Sequence, residues 1–182
     1  MNTLESILAE IQFVLGQVEE DRLHSVLKHF SRGSRIFVDG EGRSGLMGKA
    51  FAMRLMHIGY QVYAVGETIT PALQAGDLYV AISGSGETRF VVAKTEKAKA
   101  AGCRIIAVTS KKSSALARLA DETIVVPGAT KRDQGEERKS VQLLGSLFDQ
   151  SVHIVLDSLC LLLSQRDQVS QVMAVERHSV LE

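Results

Sequence analysis

The chain has 182 residues, of which 45% are hydrophobic and 23% charged, a balance typical of one soluble globular domain. Lysine plus arginine equals aspartate plus glutamate at 21 each, so no global positive field exists to attract nucleic acid or an anionic membrane. The N-terminal segment is acidic where a secretory signal is basic, which favours a cytoplasmic protein. Any anionic ligand must therefore be recognised by local groups.

The predicted elements begin with two amphipathic helices, at residues 4–18 and 21–30. Short β-branched runs follow, each ended by glycine or small polar residues. They predict five strands, at residues 35–38, 61–65, 78–82, 104–108 and 123–126. Helical patterns separate these strands, at residues 46–58, 88–101 and 114–119.

The last third of the chain changes in character after the fifth predicted strand. Residues 127–140 are polar and predict an exposed loop, and residues 141–164 then form a long apolar helical pattern. A short helix is predicted at residues 168–177. We therefore interpret the chain as one domain, with three parts: N-terminal helices in 1–33, a parallel α/β core in 34–128, and C-terminal helices in 140–182.

The alternation of strands and helices predicts an α/β fold. Parallel neighbours need crossover connections, so the pattern favours a three-layer αβα sandwich around a five-stranded parallel sheet. In the common doubly wound order, 2-1-3-4-5, the loops after strands one and three flank the point where the strand order reverses. Ligands bind in the crevice at that point, which directs attention to these two loops.

The loop after the third strand has the composition of a phosphate site. Gly84 and Gly86 allow a sharp turn, and Ser83, Ser85 and Thr88 place three hydroxyls beside the backbone donors of the next helix. Such neutral donors suit a chain with no surplus positive charge. Glycines and serines that merely form a turn are the alternative interpretation.

The loop after the first strand carries a second motif. Gly40, Gly42 and Gly45 match the G-x-G-x-x-G fingerprint, and Glu67 follows the second strand where a ribose-binding acid is expected. A dinucleotide enzyme is therefore an alternative, although it leaves the hydroxyls of the other loop unexplained. Arg43, in the same loop, is a candidate contact for phosphate or sugar hydroxyls.

Four blocks of sequence resemble one family: GEGRSGLMGKAFAMRLMHIG, then VGETITP, SGSGET and GSLFDQ, with a closing RHSVLE. Together they resemble 6-phospho-3-hexuloisomerase, a family of the sugar isomerase (SIS) domain group. The resemblance implies a homotetramer that interconverts 3-hexulose 6-phosphate and fructose 6-phosphate in the ribulose monophosphate route of formaldehyde handling. It implies a sugar-phosphate substrate and no metal or organic cofactor.

The resemblance also implies roles for particular residues. Asp149 stands where the family pattern has the glutamate expected to be the catalytic base, and His178 is a candidate proton shuttle supplied by a neighbouring subunit. Ser44 is a candidate sugar or phosphate contact, and Glu67 could orient the substrate or serve as an alternative base. Because Asp149 is one methylene shorter than glutamate, a non-catalytic phosphosugar-binding module remains a second hypothesis.

Overall fold

The computed structural model of the chain describes residues 2–133 and 140–181. Seven helices and five strands occur in this part, in the order α1 (Thr3–Leu15), α2 (Glu20–Leu27), β1 (Arg35–Gly40), α3 (Gly42–His57), β2 (Gln61–Ala64), β3 (Leu78–Ile82), α4 (Arg89–Ala100), β4 (Arg104–Thr109), α5 (Ala115–Leu119), β5 (Glu122–Val125), α6 (Ser146–Arg166) and α7 (Gln171–Val175). Residues 134–139 of the predicted loop at 127–140 lie outside the described residues.

The five strands form one parallel sheet in the order β2-β1-β3-β4-β5, which confirms the predicted fold class and strand order. The register pairs Ile36 with Leu78 and Gly40 with Ile82, so β1 and β3 end side by side. Their carboxyl ends therefore meet where the chain switches direction across the sheet, and the loops that follow them share one edge.

Alternation along the strands divides the core into two layers. In β1, Ile36 and Val38 pack with α1, α2, α3 and α6 on one face of the sheet, whereas Phe37 packs with α4 and α5 on the other. Successive side chains of a strand point to opposite faces, so a continuous apolar run such as residues 78–82 is buried on both sides. The result is the three-layer sandwich.

Helix α6 is long and apolar enough to cross a membrane by length and composition alone. Most of its apolar side chains are instead buried in the core, including Val152, Leu156 and Leu163, and the helix packs against α1, α2 and α3. Burial of this kind is typical of the central helix of a soluble protein. The helix begins at Ser146 rather than at the predicted 141, because Leu144 has a left-handed backbone (φ 51°) that helical residues do not adopt.

Several predicted boundaries and faces are wrong. Helix α3 begins at Gly42, not at 46, so most of the predicted loop at 40–45 is the first helical turn. The predicted buried face of α1 includes Leu4 and Leu8, which are 72% and 64% exposed. Helical periodicity identifies an apolar stripe, but it does not tell whether the chain itself or another surface covers it.

The glycines of the first loop bring α3 unusually close to the sheet. A Cβ atom built on Gly45 would lie 2.6 Å from the carbonyl oxygen of Gly40, and one built on Gly48 would lie 3.2 Å from Val38 Cγ1. Only hydrogen fits at the first of these positions. Gly40 and Gly45 therefore have a packing explanation, in which helix and strand backbones touch, whereas Gly42 has open space around it and a positive φ of 59°.

This contact makes a testable prediction about stability. Gly45→Ala is expected to lower the free energy of unfolding by about 1–3 kcal/mol, because the added methyl overlaps the Gly40 backbone and forces α3 outward. Gly16→Ala is the matched control, since Gly16 is exposed, has helical dihedral angles and leaves its nearest neighbour 3.4 Å from the new Cβ. Urea denaturation checks both; equal stability of the two variants would contradict the packing explanation.

Candidate functional site

A cavity of about 510 Å³ opens at the carboxyl ends of β1 and β3. Four segments form its wall, and the lining residues are Glu41, Gly42, Arg43, Ser44, Gly84, Ser85, Thr88, Thr130, Lys131, Leu143, Leu144, Gly145, Ser146, Phe148 and Asp149. A larger cavity of about 660 Å³ lies beside α1. The smaller cavity is the candidate site, because it unites six of the ten predicted site residues at the switch point of the sheet.

The loop after β3 forms one wall of the cavity. Ser85 and Thr88 line it directly, and Gly84 fits beneath the ring of Phe148, which a Cβ on this glycine would approach to 3.0 Å. Thr88 is the residue before α4, so the unpaired N–H groups of that helix start here. A hydroxyl, a glycine-rich backbone and a helix N-terminus together suit an oxyanion.

Two predicted residues of this loop, Ser83 and Gly86, do not line the cavity and instead fix the conformation of the turn. The Ser83 hydroxyl is buried, accepts a hydrogen bond from Gly86 N (3.1 Å) and shares a second with Thr88 Oγ1 (2.8 Å). Gly86 has a positive φ of 63°, and a Cβ there would lie 2.2 Å from the Ser114 hydroxyl. Both residues therefore hold the turn closed so that Ser85 and Thr88 face the cavity.

The opposite wall combines the first turns of α3 and α6. Ser44 Oγ donates a hydrogen bond to Asp149 Oδ1 at 2.7 Å, and Arg43 Nη1 donates one to Ser146 Oγ at 3.0 Å. The second carboxylate oxygen of Asp149 accepts no hydrogen bond within residues 2–133 and 140–181. It is free to act on a ligand in the cavity.

Burial changes the proton affinity of Asp149. The residue is only 5% exposed, and this burial raises the pKa of its carboxyl above the ordinary value. The hydrogen bond from Ser44 and the charge of Arg43 act in the opposite direction. A carboxylate with a raised pKa is a stronger base than an exposed aspartate, which suits proton abstraction near neutral pH.

Helix α1 fixes the segment that leads into α6. Glu10 accepts hydrogen bonds from Ser140 Oγ (2.9 Å), Val141 N (2.8 Å) and Gln142 Nε2 (3.0 Å). The next residues, up to the strained Leu144, form the rim of the cavity. A carboxylate of one helix thus sets the approach to the helix that carries Asp149, and its pKa is lowered because these hydrogen bonds outweigh burial.

Two predicted catalytic residues are not in this cavity. Glu67 follows β2 and pairs with Lys49 Nζ at 2.5 Å, with half of its side chain exposed. His178 stacks on His57 at the opposite end of α3, with 5.0 Å between ring centroids. At 1.5 Å per residue the helix separates His57 from Gly42 by about 22 Å. Within one chain His178 does not reach Asp149, and its role through a neighbouring subunit stays a prediction.

Sequence reasoning missed three polar residues of the cavity wall. Glu41 lies between β1 and α3 and was not distinguished from the glycines around it. Thr130 and Lys131 belong to the predicted exposed loop, yet Thr130 is 3% exposed and its N–H and hydroxyl both bond to Asp133 Oδ2. Their position directly after β5 was the available signal, because the carboxyl ends of parallel strands share one edge.

The arrangement defines an α/β protein in which a hydroxyl-rich wall at a helix N-terminus and a carboxylate wall face each other across one cavity. Such a site can hold a phosphorylated compound and move a proton on it. Within residues 2–133 and 140–181, no group of three or more His, Cys, Asp or Glu side chains has the arrangement of a metal site.

Comparison with known proteins places this geometry in a family. The SIS domain family matches residues 29–154, and the chain therefore belongs to it. The 3-hexulose-6-phosphate isomerase of Mycobacterium gastri is 39% identical over 181 residues, covering 100% of this chain and 90% of that protein. The 3-hexulose-6-phosphate isomerase of Bacillus subtilis is 35% identical over 176 residues, covering 97% of this chain and 95% of that protein.

A solved structure agrees with these relatives. The chain matches the 2.0 Å crystal structure of a hypothetical protein from Methanococcus jannaschii with a TM-score of 0.83. A function as 3-hexulose-6-phosphate isomerase was inferred for that protein from its structure. It is 30% identical and covers 100% of both chains. The resemblance to this isomerase family that the sequence motifs indicate is thereby confirmed.

The buried carboxylate predicts a pH-dependent gain in stability for Asp149→Asn. The folded-state pKa lies above the unfolded value, so the ionised group destabilises the fold at pH values above the folded pKa. That cost disappears as the pH falls through the folded pKa towards about 4. The variant should therefore have a higher Tm than the parent at pH 8, by about 2–4 °C per kcal/mol recovered, and no advantage at pH 4.

Calorimetry at the two pH values checks this prediction. Asp157→Asn is the control, because Asp157 is half-exposed on the same helix and its loss should change stability by less than about 0.5 kcal/mol. A lower Tm for Asp149→Asn at pH 8 would show that the carboxylate stabilises the fold instead.

Proposed function

We propose that this chain is a sugar-phosphate isomerase that interconverts 3-hexulose 6-phosphate and fructose 6-phosphate, as an intramolecular oxidoreductase. The observation that carries the proposal is the Ser44–Asp149 pair, which faces the hydroxyl-rich loop across one cavity. The relatives named 3-hexulose-6-phosphate isomerase support it over nearly the whole length of the chain. The reaction would serve the ribulose monophosphate pathway of formaldehyde assimilation.

The reaction needs only proton transfers. Asp149 takes the proton from C2 of the 3-ketose, and the electrons of that C–H bond form the C2=C3 bond of an enediolate with its charge on O3. The carboxylic acid then returns the proton to C3, while the O2 proton passes to O3 and the carbonyl forms at C2. Carbon 2 is oxidised and carbon 3 reduced within one molecule, so the atoms and electrons balance.

The two walls of the cavity bind different parts of the substrate. The phosphate binds at Ser85 and Thr88, near the N-terminus of α4, with Lys131 as the nearby cation of the cavity wall. The ketose carbons then lie towards Asp149. Ser44 keeps the carboxylate in one orientation through its 2.7 Å hydrogen bond, which is a positioning role.

The assembly belongs to the same proposal. Apolar side chains are exposed on α1 and at the rim of the cavity, including Phe13 (72%), Leu143 (79%) and Leu144 (67%). Burial of such side chains between subunits is favourable, which supports self-association with sites near the interfaces, and the homotetramer is the assembly that the family resemblance implies. A neighbouring subunit would then bring His178 to the site as a proton shuttle for opening the sugar ring.

We further propose a single domain across residues 1–182 and a cytoplasmic location.

Two other functions give different results in the same experiment. A non-catalytic phosphosugar-binding module is favoured by one observation, the shorter Asp149 in place of the glutamate of the family pattern. The dinucleotide alternative is the weaker one, because Glu67, its expected ribose-binding acid, pairs with Lys49, and the contact of Gly45 with Gly40 is accounted for by helix–strand packing with or without a dinucleotide. Isomerisation is therefore the function that the site supports best.

Turnover in deuterium oxide tests the proposal. The pure protein should convert 3-hexulose 6-phosphate to fructose 6-phosphate with solvent deuterium at C3, followed by NMR. Asp149→Asn should lower kcat by about 10²–10⁴-fold, because no base remains to remove the C2 proton. Binding without conversion or exchange would favour the binding module, and a change in NADH fluorescence on mixing would favour the dinucleotide enzyme.

A second variant tests the phosphate wall. Ser85→Ala should raise KM for fructose 6-phosphate about 10-fold, because a donor to a charged group is lost from a nearly buried position. The change in kcat should stay within about threefold, since the carboxylate wall is untouched. Ser113→Ala is the matched control, an exposed serine on another loop of the same edge. An unchanged KM for Ser85→Ala would place the phosphate elsewhere.

A further inference from the structure

A second carboxylate lines the cavity that holds Asp149. Glu41 is the residue before α3, and 45% of its side chain is exposed in the cavity wall beside Ser44. It makes no capping hydrogen bond to the helix that it precedes. Its side chain therefore does not have the usual role of an acidic residue at a helix start, which is to accept hydrogen bonds from the first backbone N–H groups.

A hydrogen-bond network with a buried end at Asp39 holds this carboxylate in place. Lys94 Nζ of α4 donates to Glu41 Oε1 at 2.8 Å and to Asp39 Oδ1 at 2.6 Å, and Tyr79 Oη donates to Asp39 Oδ2 at 2.9 Å. Asp39 is 1% exposed, so the anchor of the network is inside the sheet. Hydrogen bonds to both carboxylates outweigh burial and raise the pKa of Lys94, which therefore stays charged.

Glu41 contributes little to the stability of the fold. Lys94 already has a closer partner in the buried Asp39, and a half-exposed ion pair contributes only about 0–1 kcal/mol. Glu41 Oε2 accepts no hydrogen bond from any residue in the described ranges 2–133 and 140–181. A carboxylate that is fixed through one oxygen and open through the other is prepared to accept hydrogen bonds from a ligand.

We propose that Glu41 is a specificity-determining residue, whose free carboxylate oxygen binds hydroxyl groups of the sugar chain and so selects polyhydroxylated phosphates over simpler ones. The inference rests on the proposed function for the nature of the ligand. A carboxylate repels phosphate and attracts hydroxyl donors, so Glu41 also orients the ligand, with its phosphate towards Ser85 and Thr88. Lys94 is the positioning residue that acts through Glu41.

Calorimetric titration with three ligands tests the proposal on the full chain. Glu41→Ala should weaken binding of fructose 6-phosphate by about 10-fold to 100-fold, the range for lost hydrogen bonds to a charged group. Binding of inorganic phosphate and of glycerol 3-phosphate should change by less than about threefold or become tighter, because neither presents the full row of hydroxyls. Glu41→Gln keeps an acceptor and should lose less than Glu41→Ala.

The matched control removes the same charge from another surface. Glu96 is exposed on α4 and does not line the cavity, so Glu96→Gln should leave all three affinities unchanged. Equal weakening by Glu41→Ala and Glu96→Gln would reduce the effect to net charge and overturn the proposal. Equal weakening of all three ligands by Glu41→Ala would also overturn it, since the residue would then serve the phosphate or the fold.

Kinetics separate positioning from structure. Lys94→Met leaves the charge of the buried Asp39 without its cation, so it is combined with Asp39→Asn to keep the fold. This double variant should raise KM for the hexulose phosphate with kcat within about threefold, and adding Glu41→Ala should cause little further change. Full additivity would show that Lys94 does not act through Glu41. The parent protein could fail to turn over the hexulose phosphate and still bind fructose 6-phosphate in preference to glycerol 3-phosphate. That result would overturn the proposed isomerase function and would leave the proposed role of Glu41 intact.

Discussion

The contact between the Gly40 and Gly45 backbones is the constraint on which the site depends. Since no side chain fits between strand and helix there, the first turn of α3 lies directly at the end of β1. Ser44, one residue before the contact, is thereby brought within 2.7 Å of Asp149 on another helix. A backbone that could move by an ångström would lose this hydrogen bond, and with it the fixed direction of the carboxylate. Packing and chemistry therefore have the same cause.

The cavity separates charge in a way that a neutral protein requires. One wall offers Ser85, Thr88 and the N-terminus of α4, and the other presents the carboxylates of Asp149 and Glu41. We expect a dianionic group to favour the first wall, since Arg43 on the second wall lies beside the Asp149 carboxylate and bonds to Ser146, while the hydroxyls of a sugar gain from the second. Orientation of the ligand thus follows from electrostatics before any single contact is counted. The equal numbers of basic and acidic residues leave this local pattern undisturbed by a long-range field.

Much of the fold was predictable because its signals are local. The strand at residues 78–82 is a continuous β-branched and apolar run, and its boundaries agree with those of β3. The start of α3 was missed because Gly42 and Gly45 are poor helix formers; Gly45 packs on the backbone of Gly40, and Gly42 begins the helix with a positive φ of 59°. The exposure of Leu4 was missed because a helical stripe looks the same whether the chain or another surface covers it.

In the site, too, features with a local sequence signal were predictable, and features that depend on distant contacts were not. The position of Ser85 and Thr88 in the cavity wall was predictable from composition and from their place after a strand, and an oxyanion site there stays a prediction. Glu41 was not, since the role proposed for it depends on a contact with Lys94, 53 residues further along the chain, and that lysine is held by Asp39, whose burial comes from the packing of the sheet. Contacts at such separation leave no pattern in a single sequence. For Asp149, the family resemblance gave the position, but the raised pKa that the proposed role as a base needs comes from burial, to which the packing of α3 against α6 contributes.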